Sequence, residues 1–337
     1  MAHVLTRSQN LQLILLYPTL TQDHGGNGRG APKRAGENTD YGDYNILILE
    51  HLAATHTAHN KKSRPIQLKE LVPRWQKRLT TWRAWMCTMT RETAQQVQRG
   101  MALSQIGGFS NAMAVRHAAA YAYFNQEKQV VDAALTSMFT HRETTALDGG
   151  AFFAKVTFRI LHKDLSPRQA IESVAAEPTS SSFIRKKVKQ ALDKVDEALD
   201  ESSSLSQEEY VDDLSLTSMA RLWDVGKTEP IKVGKASPTE GTLPGSIYFI
   251  VKYSTLEQEG KIDNAYSAAA SANAEVGGDN ASRSIVIGMV LGAWSGVDAI
   301  PKKWKDTYVE WERCEALIKE APMLSSINGN SVSIEEL

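Results

Sequence analysis

The stretch GGDNASRSIVIGMVLGAWSGVDAIPKKW runs from Gly277 to Trp304 and carries both a helix start and a long helix body. A glycine pair precedes Asp279, and Asp is a residue type that often caps helix N-termini. An apolar segment rich in Gly and Ala follows. The pattern predicts a helix over 279–296, and a second helix is predicted just before it, over 261–275.

The rest of the chain repeats this helical pattern, with apolar residues spaced three or four positions apart. Ser166 and Pro167 predict one helix start, as N-cap and first helical residue. No stretch keeps up strand alternation, and no period of roughly 20–50 residues indicates a repeat protein. The prediction is therefore an all-α, single compact domain of about ten to twelve helices. Further helices are predicted at 42–54, 68–86, 113–124, 130–139, 151–161, 167–175, 183–199 and 244–253, and a loop at 224–243.

The start of the chain differs from this helical part. The apolar run at 11–17 predicts a buried strand or half-helix, and Pro18 ends it. Gly, Pro and charged residues then follow without an apolar period up to residue 40, which predicts a long mobile loop. The chain divides into an N-terminal segment with a mobile Gly-rich loop at 1–40, a helical domain at 41–321 and a polar tail at 322–337.

Composition narrows the classes of function. The 337 residues include 38 Lys and Arg against 39 Asp and Glu, so the net charge of −1 argues against a basic nucleic-acid binder. The two cysteines, Cys87 and Cys314, cannot build a Cys-rich zinc site or a disulfide framework, and they fit a reduced, cytoplasmic protein. No apolar run approaches the roughly 20 residues of a membrane span.

Acidic residues stand at two predicted helix starts. The first is Thr39-Asp40-Tyr41-Gly42-Asp43-Tyr44, and the second begins at Asp279. Helix capping alone explains both, with Asp40 as a cap supported by Asp43 and with Asp279 as a cap behind a glycine turn.

A resemblance adds a functional interpretation to these helix starts. The stretch Gly277 to Trp304 resembles the C-terminal signature of the ADP-ribosylglycohydrolase superfamily, of the dinitrogenase-reductase-activating glycohydrolase type. That signature reads Gly-Gly-Asp-Thr-Asp-Thr, then a Gly- and Ala-rich apolar helix, then Ala-Ile-Pro and a Trp. The Asp-Asn-x-Ser-Arg form looks closest to the jellyfish J-crystallin branch. Other segments follow in the family's order: Tyr41-Gly42-Asp43 in place of a Thr-Asp-Asp-Thr motif, SNAMAVRH from Ser110 to His117, Thr140-His141, and Leu243 to Ser246.

The resemblance implies an all-α fold of the ADP-ribosylglycohydrolase type and hydrolysis of an N- or O-glycosidic bond to ADP-ribose. It implies two magnesium ions between the two acidic helix starts, and ADP-ribose or an ADP-ribosylated protein as the partner. Carried over by position, the expected catalytic residues are Asp43 and Asp279. The expected metal ligands are Asp43, Asp279 and Ser282, and the expected ligand-binding residues are Arg283, Ser110 and Arg116.

The chain is short of carboxylates for such a centre. Gly42 stands where the first motif has its first Asp, and Ala281 stands where the last motif has its second Asp. Mg²⁺ prefers octahedral oxygen ligands, and two close ions need several carboxylates to offset their repulsion. We therefore expect a depleted magnesium site, with Asp40 as a stand-in ligand.

Arg283 is a second difficulty for a metal. It lies four residues after Asp279, on the same helix face, so the two side chains can pair. A guanidinium about 5 Å from Mg²⁺ would be repelled by on the order of 6 kcal/mol at an effective dielectric of about 20. Arg283 is therefore expected to take over part of an ion's charge, or to hold a ligand phosphate. The alternative is a solvent-facing or simply paired arginine.

Three functions stay open from the sequence. The first is a metal-assisted glycohydrolase of ADP-ribosylated substrates with a depleted metal site. The second is a catalytically inactive, J-crystallin-like relative that serves as a binding or structural protein. The third is a helical subunit of a larger assembly with a protein partner.

Overall fold

The computed structural model describes residues 35–59, 61–82, 86–202, 238–276 and 279–324. Those ranges contain helices and no strand, so the all-α prediction is confirmed for them. The first half contains α1 (Asp40–Ala58), α2 (Leu68–Leu79), α3 (Thr88–Gln98), α4 (Ala120–Tyr123), α5 (Glu127–Ser137), α6 (Thr144–Lys163), α7 (Pro167–Ala175) and α8 (Ser182–Leu199). The second half contains α9 (Thr239–Gln258), α10 (Ala265–Val276), α11 (Asn280–Ser295), a 3-10 turn (Val297–Ala299), α12 (Lys302–Thr307) and α13 (Trp311–Lys319).

Two helices form the centre of the molecule. Every residue of α11 from Asn280 to Ala293 is buried, and α9 is buried from Gly241 to Val251. A helix that is covered on all sides belongs to the interior of a larger protein. The two pack against each other, α9 also packs against α8 and α10, and α11 also packs against α6 and α10. The predicted 279–296 helix is therefore the core of the fold.

Local signals locate the start of α7 correctly. Ser166 is the N-cap, its Oγ accepts a hydrogen bond from the Gln169 backbone at 3.3 Å, and Gln169 Oε1 accepts one from the Ser166 backbone at 3.0 Å. Pro167 is the first helical residue, where its missing N–H costs no hydrogen bond.

The prediction of a helix over 113–124 is wrong for most of its length. Only Ala120–Tyr123 is helical, and the preceding residues are buried without regular structure. The Asn45 amide supplies the hydrogen bonds that a helix would have made. Its Nδ2 donates to the Val115 carbonyl at 3.1 Å, and its Oδ1 accepts from the Ala118 backbone at 3.3 Å. A residue on α1 thus overrides the local helix signal.

The start of α9 also differs from the prediction. The helix begins at Thr239 rather than at Pro244, so Pro244 and Gly245 lie inside it. Residues 239–243 of the predicted loop are therefore helical, and residues 224–237 of it lie outside the described residues. A contact from outside the helix fixes this earlier start, because the Thr239 backbone and hydroxyl both donate to the Asn111 carbonyl, at 2.8 and 2.6 Å. The helix α2 is shorter than predicted, because it ends at Leu79 and not at residue 86.

The described end of the predicted mobile loop is packed against the C-terminal helices. Asn38 is buried and accepts a hydrogen bond from the Tyr308 hydroxyl at 2.9 Å, while Val309 donates to the Gly36 carbonyl at 3.1 Å. The predicted apolar segment 11–17, most of the loop and the tail beyond residue 324 lie outside the described residues. No helix in the described ranges has the length and apolar content needed to span a bilayer.

Candidate functional site

The candidate site lies where the N-termini of α1 and α11 meet. Asp40 is the first residue of α1, and Asp279 is the N-cap of α11. Both carboxylates are buried, with 8% and 5% of each residue exposed. The Tyr41 hydroxyl donates to Asp279 Oδ2 at 3.0 Å and joins the two helix starts across 238 residues of sequence. Two helix N-termini, each the positive end of a helix dipole, thus face a pair of carboxylates.

Asp279 caps α11 as predicted. Its Oδ1 accepts a hydrogen bond from the Ser282 backbone at 3.2 Å, while the Tyr41 hydroxyl reaches Oδ2. The Ser282 hydroxyl is buried and donates to the Asp279 carbonyl at 3.0 Å. Both Asp279 oxygens therefore have donors within the protein, and the Ser282 hydroxyl is engaged by the backbone.

Asp40 has an unusual environment for a carboxylate. Its Oδ1 is buried and has no hydrogen-bond partner among the described residues. Burial raises the pKa of Asp40 to about 7, the negative charge of Asp279 adds to the rise, and the Arg116 guanidinium opposes it. Asp40 therefore takes up or releases a proton near neutral pH.

Arg116 is fixed beside Asp40 by two contacts. Its Nη1 donates to Thr140 Oγ1 at 2.7 Å, and its guanidinium carbon lies 3.4 Å from the centre of the Tyr44 ring. Thr140 Oγ1 is itself 2.8 Å from His141 Nδ1. The predicted segment SNAMAVRH and the predicted Thr140-His141 pair thus meet, and together they hold one buried cation at the site.

Arg283 is the second buried cation. Its side chain is fully buried, and its Nε donates to Asn273 Oδ1 at 2.6 Å. Burial lowers the pKa of Arg283 to about 10, and the charge of Asp279 opposes this shift. The guanidinium is therefore charged at neutral pH. The reading of Arg283 as a solvent-facing residue is wrong.

Asp43 pairs with a residue outside this group. The Asp43 carboxylate lies 3.6 Å from Arg78, whose other ion pair is with Glu50 at 3.3 Å. The α1 carboxylate that is influenced by the charge of Asp279 is that of Asp40, which the sequence analysis named only as a cap and a stand-in ligand. The N-cap position of α1 is occupied by Thr39 and not by Asp40. Ser110 is half-buried on the same segment as Arg116, and its Oγ accepts a hydrogen bond from the Ala112 backbone at 3.2 Å.

Two residues of the site were missed from the sequence. Tyr41 connects α1 to Asp279, and Asn273 on α10 orients Arg283. Tyr41 directly follows Asp40 at an acidic helix start, which was the available signal. Asn273 is one of several polar residues in the Ala-rich helix α10, and its partner on α11 could not be read from spacing alone.

The donor set for a metal is small. The described residues contain no group of three or more His, Cys, Asp or Glu side chains that could hold a metal ion. Among the described residues of the site, the Arg116 guanidinium lies near Asp40 and the Arg283 guanidinium near Asp279.

Comparisons with known proteins agree with the resemblance seen in the sequence. A solved structure titled "ADP-ribosylglycohydrolase-related protein complex" has the same fold, with a TM-score of 0.60 at 15% identity over 96% of this chain and 100% of that chain. No curated protein matches the sequence significantly. The sequence model of the ADP-ribosylglycohydrolase family matches residues 5–330, nearly the whole chain. The chain therefore belongs to the ADP-ribosylglycohydrolase family.

Proposed function

We propose that this chain hydrolyses a glycosidic bond to ADP-ribose at the Asp40–Asp279 site, and that its magnesium site is depleted. Family membership supports the substrate class. The observation that carries the location is that Asp40 and Asp279 are both buried at helix starts joined by the hydrogen bond from Tyr41, the neighbour of Asp40, to Asp279. The finer assignment to the J-crystallin branch is part of the same proposal and rests on the Asp-Asn-x-Ser-Arg sequence at Asp279.

The geometry supports a shift of the first motif along the chain. Thr39 at the N-cap and Asp40 at the first helical position fit the first two places of Thr-Asp-Asp-Thr, so Tyr41 and Gly42 take the last two. In this register Tyr41 replaces the second acidic residue, and its hydroxyl points to Asp279. Asp40 thereby takes the role that the sequence analysis gave to Asp43.

The described residues do not fit a two-magnesium centre. Both Asp279 oxygens accept protein hydrogen bonds and the Ser282 hydroxyl is bound to a backbone carbonyl, whereas Asp40 Oδ1 and the amide oxygen of Asn280 have no partner among the described residues. Magnesium asks for near-octahedral oxygen coordination, with carboxylates to balance its charge. Two guanidinium groups beside the carboxylates oppose any further positive charge.

The carboxylate pair itself supports acid–base chemistry. Glycoside hydrolysis commonly uses one protonated carboxyl to protonate the leaving group and a second, ionised one to activate water or attack the sugar. Asp40, whose pKa is raised to about 7, fits the acid role. Asp279, whose two oxygens accept hydrogen bonds, fits the ionised role. Arg116 holds a positive charge beside Asp40, where an anionic part of the substrate would be attracted.

Replacing Asp40 by Asn tests this assignment. We expect Asp40→Asn to slow ADP-ribose release by on the order of 100-fold or more, because general acid–base catalysis contributes at least that much. Asp43→Asn is the matched control, since Asp43 pairs with Arg78, and it should leave the rate unchanged. Release is measured from ADP-ribosylated arginine and serine peptides, with and without magnesium. If the wild type shows no turnover on either peptide, the hydrolase proposal is wrong.

A specific contact favours a second candidate, a binding protein without catalysis. The Tyr41 hydroxyl covers Asp279 Oδ2, the oxygen that would otherwise face a water or an ion. In that case, calorimetry should show saturable binding of ADP-ribose that Arg116→Ala weakens, and no release in the peptide assay. Absence of both binding and release would leave the third candidate, a helical subunit of a larger assembly.

A further inference from the structure

We propose that Arg283 is a built-in counter-cation for Asp279, and that it makes the Asp40–Asp279 site independent of divalent cations. The inference rests on the proposed function only for the position of the site. It concerns the resting charge balance of the protein and does not require that the chain hydrolyse anything.

The position of Arg283 is the first argument. It lies in the first turn of α11, four residues after Asp279, and it is among the largest side chains that are fully buried. A buried guanidinium is costly unless opposite charge and hydrogen bonds compensate it. Asp279 is the nearby carboxylate that favours its charged form. A cation placed permanently at this point does what a bound ion would do for Asp279.

The way Arg283 is held is the second argument. A guanidinium only donates hydrogen bonds, so the Asn273 oxygen must face it, and Asn273 Oδ1 accepts from Arg283 Nε at 2.6 Å. The amide nitrogen of Asn273 then donates to the Asn280 carbonyl at 3.0 Å and to Ser284 Oγ at 2.9 Å. Both ends of one buried amide are therefore used to fix the guanidinium against the first turn of α11.

Charge balance is the third argument. Arg116, fixed by Thr140 and Tyr44, lies near Asp40, so among the described residues two guanidinium groups match two carboxylates when Asp40 is ionised, and they exceed the negative charge when Asp40 is protonated. An incoming divalent ion would meet two cations that cannot leave, and Asp279 would have to give up protein donors to bind it.

The direct test is a magnesium titration of the wild-type protein by calorimetry, with thermal unfolding measured in EDTA and in millimolar magnesium. We expect no saturable heat of binding and the same midpoint temperature in both buffers. Saturable magnesium binding with a micromolar dissociation constant, or a midpoint that falls when EDTA is added, would overturn the proposal.

Variants test whether Arg283 is the cause. Arg283→Lys keeps a charge and should stay indifferent to magnesium. Arg283→Met removes the cation near Asp279, so the midpoint temperature of this variant should fall and magnesium should restore part of the loss. Arg159→Met is the control, because Arg159 is also a buried guanidinium but pairs with Glu127 and Glu177, and magnesium should not restore it.

Equal magnesium responses in the Met variants of Arg283 and Arg159 would contradict the proposal. If Arg283→Met does not fold, the wild type and Arg283→Lys decide: a magnesium response in either one counts against it. These measurements use magnesium alone as the probe. A failure to release ADP-ribose would therefore refute the hydrolase function and leave this inference standing. Magnesium binding by the wild type would refute this inference and leave the hydrolase function standing.

Discussion

Tyr44 is the residue at which the site and the core are joined. Its hydroxyl accepts a hydrogen bond from Trp75 Nε1 at 2.9 Å and lies 2.9 Å from Thr90 Oγ1, all in the buried interior. Its ring supports the Arg116 guanidinium, with which it forms a cation–π contact. One side chain therefore links helices α1, α2 and α3 and also positions a charge next to Asp40.

Removing the Tyr44 hydroxyl should be costly. In Tyr44→Phe the Trp75 N–H loses its acceptor inside the core, so we expect the free energy of unfolding to fall by about 1–3 kcal/mol. Urea denaturation measures it. Thr90→Val and the double variant complete a mutant cycle, which should show a coupling between the two positions. An unchanged urea midpoint for Tyr44→Phe would show that the hydroxyl has no such role.

Gly42 is a residue whose small size matters. A Cβ at this position would lie 2.5 Å from Asn38 Oδ1, the atom that accepts the Tyr308 hydrogen bond. We expect Gly42→Ala to displace Asn38 and to destabilise the protein by about 1–3 kcal/mol, the usual range for overpacking. Thermal unfolding checks this, with Gly260→Ala as a comparison, since Gly260 has open space around it but a left-handed φ of 68°. In a Tyr308→Phe background the loss of stability caused by Gly42→Ala should be smaller, because Asn38 no longer has a hydrogen bond with Tyr308 to lose.

At the scale of elements, the start of α7 is set by its own sequence. The reciprocal hydrogen bonds of Ser166 and Gln169 form a capping box. We expect Ser166→Ala to lower stability by about 1 kcal/mol, whereas Ser166→Asp should keep most of it. Urea denaturation of both variants distinguishes the cap from a general effect of substitution, and equal losses in the two would argue against the cap.

Elements of this kind could be predicted from the sequence, and others could not. The helix α11 was predictable because its cap, Asp279, and its apolar body are continuous in the chain. The helix predicted over 113–124 forms only at Ala120–Tyr123, because Asn45, far away in sequence, makes hydrogen bonds with the backbone of Val115 and Ala118. The choice between Asp40 and Asp43 cannot be made from the sequence for a similar reason. Both suit the first turn of α1, and only the packing of α11 decides which one meets Asp279.

At the scale of the whole molecule, buried histidines determine the response to acid. Burial lowers the pKa of His117 and of His141 to about 3, and that of His51 to about 4. Each is neutral in the folded state but binds a proton below about pH 6.5 when unfolded. Their contribution to stability is complete above pH 6.5 and is lost as the pH falls towards 3 or 4. The raised pKa of Asp40 has the opposite effect, because it makes the free energy of unfolding rise as the pH is lowered from about 7 to 4.

Because three histidines oppose one aspartate, the free energy of unfolding should fall as the pH is lowered from 6.5 to 4. Urea denaturation at several pH values in this range measures the slope of the free energy of unfolding against pH. His117→Leu removes a ring with two buried nitrogens that have no partner among the described residues, so it should flatten the slope. A slope that His117→Leu leaves unchanged would mean that this ring is not the acid-sensitive group.

The contact between Tyr41 and Asp279 joins parts of the chain 238 residues apart. While the polypeptide is being synthesised, the first carboxylate emerges long before its counterpart exists. A nascent chain, or a fragment truncated ahead of α11, therefore lacks both the central helix and the Asp279 half of the site. The proposed site for ADP-ribose can form only after translation has passed α11.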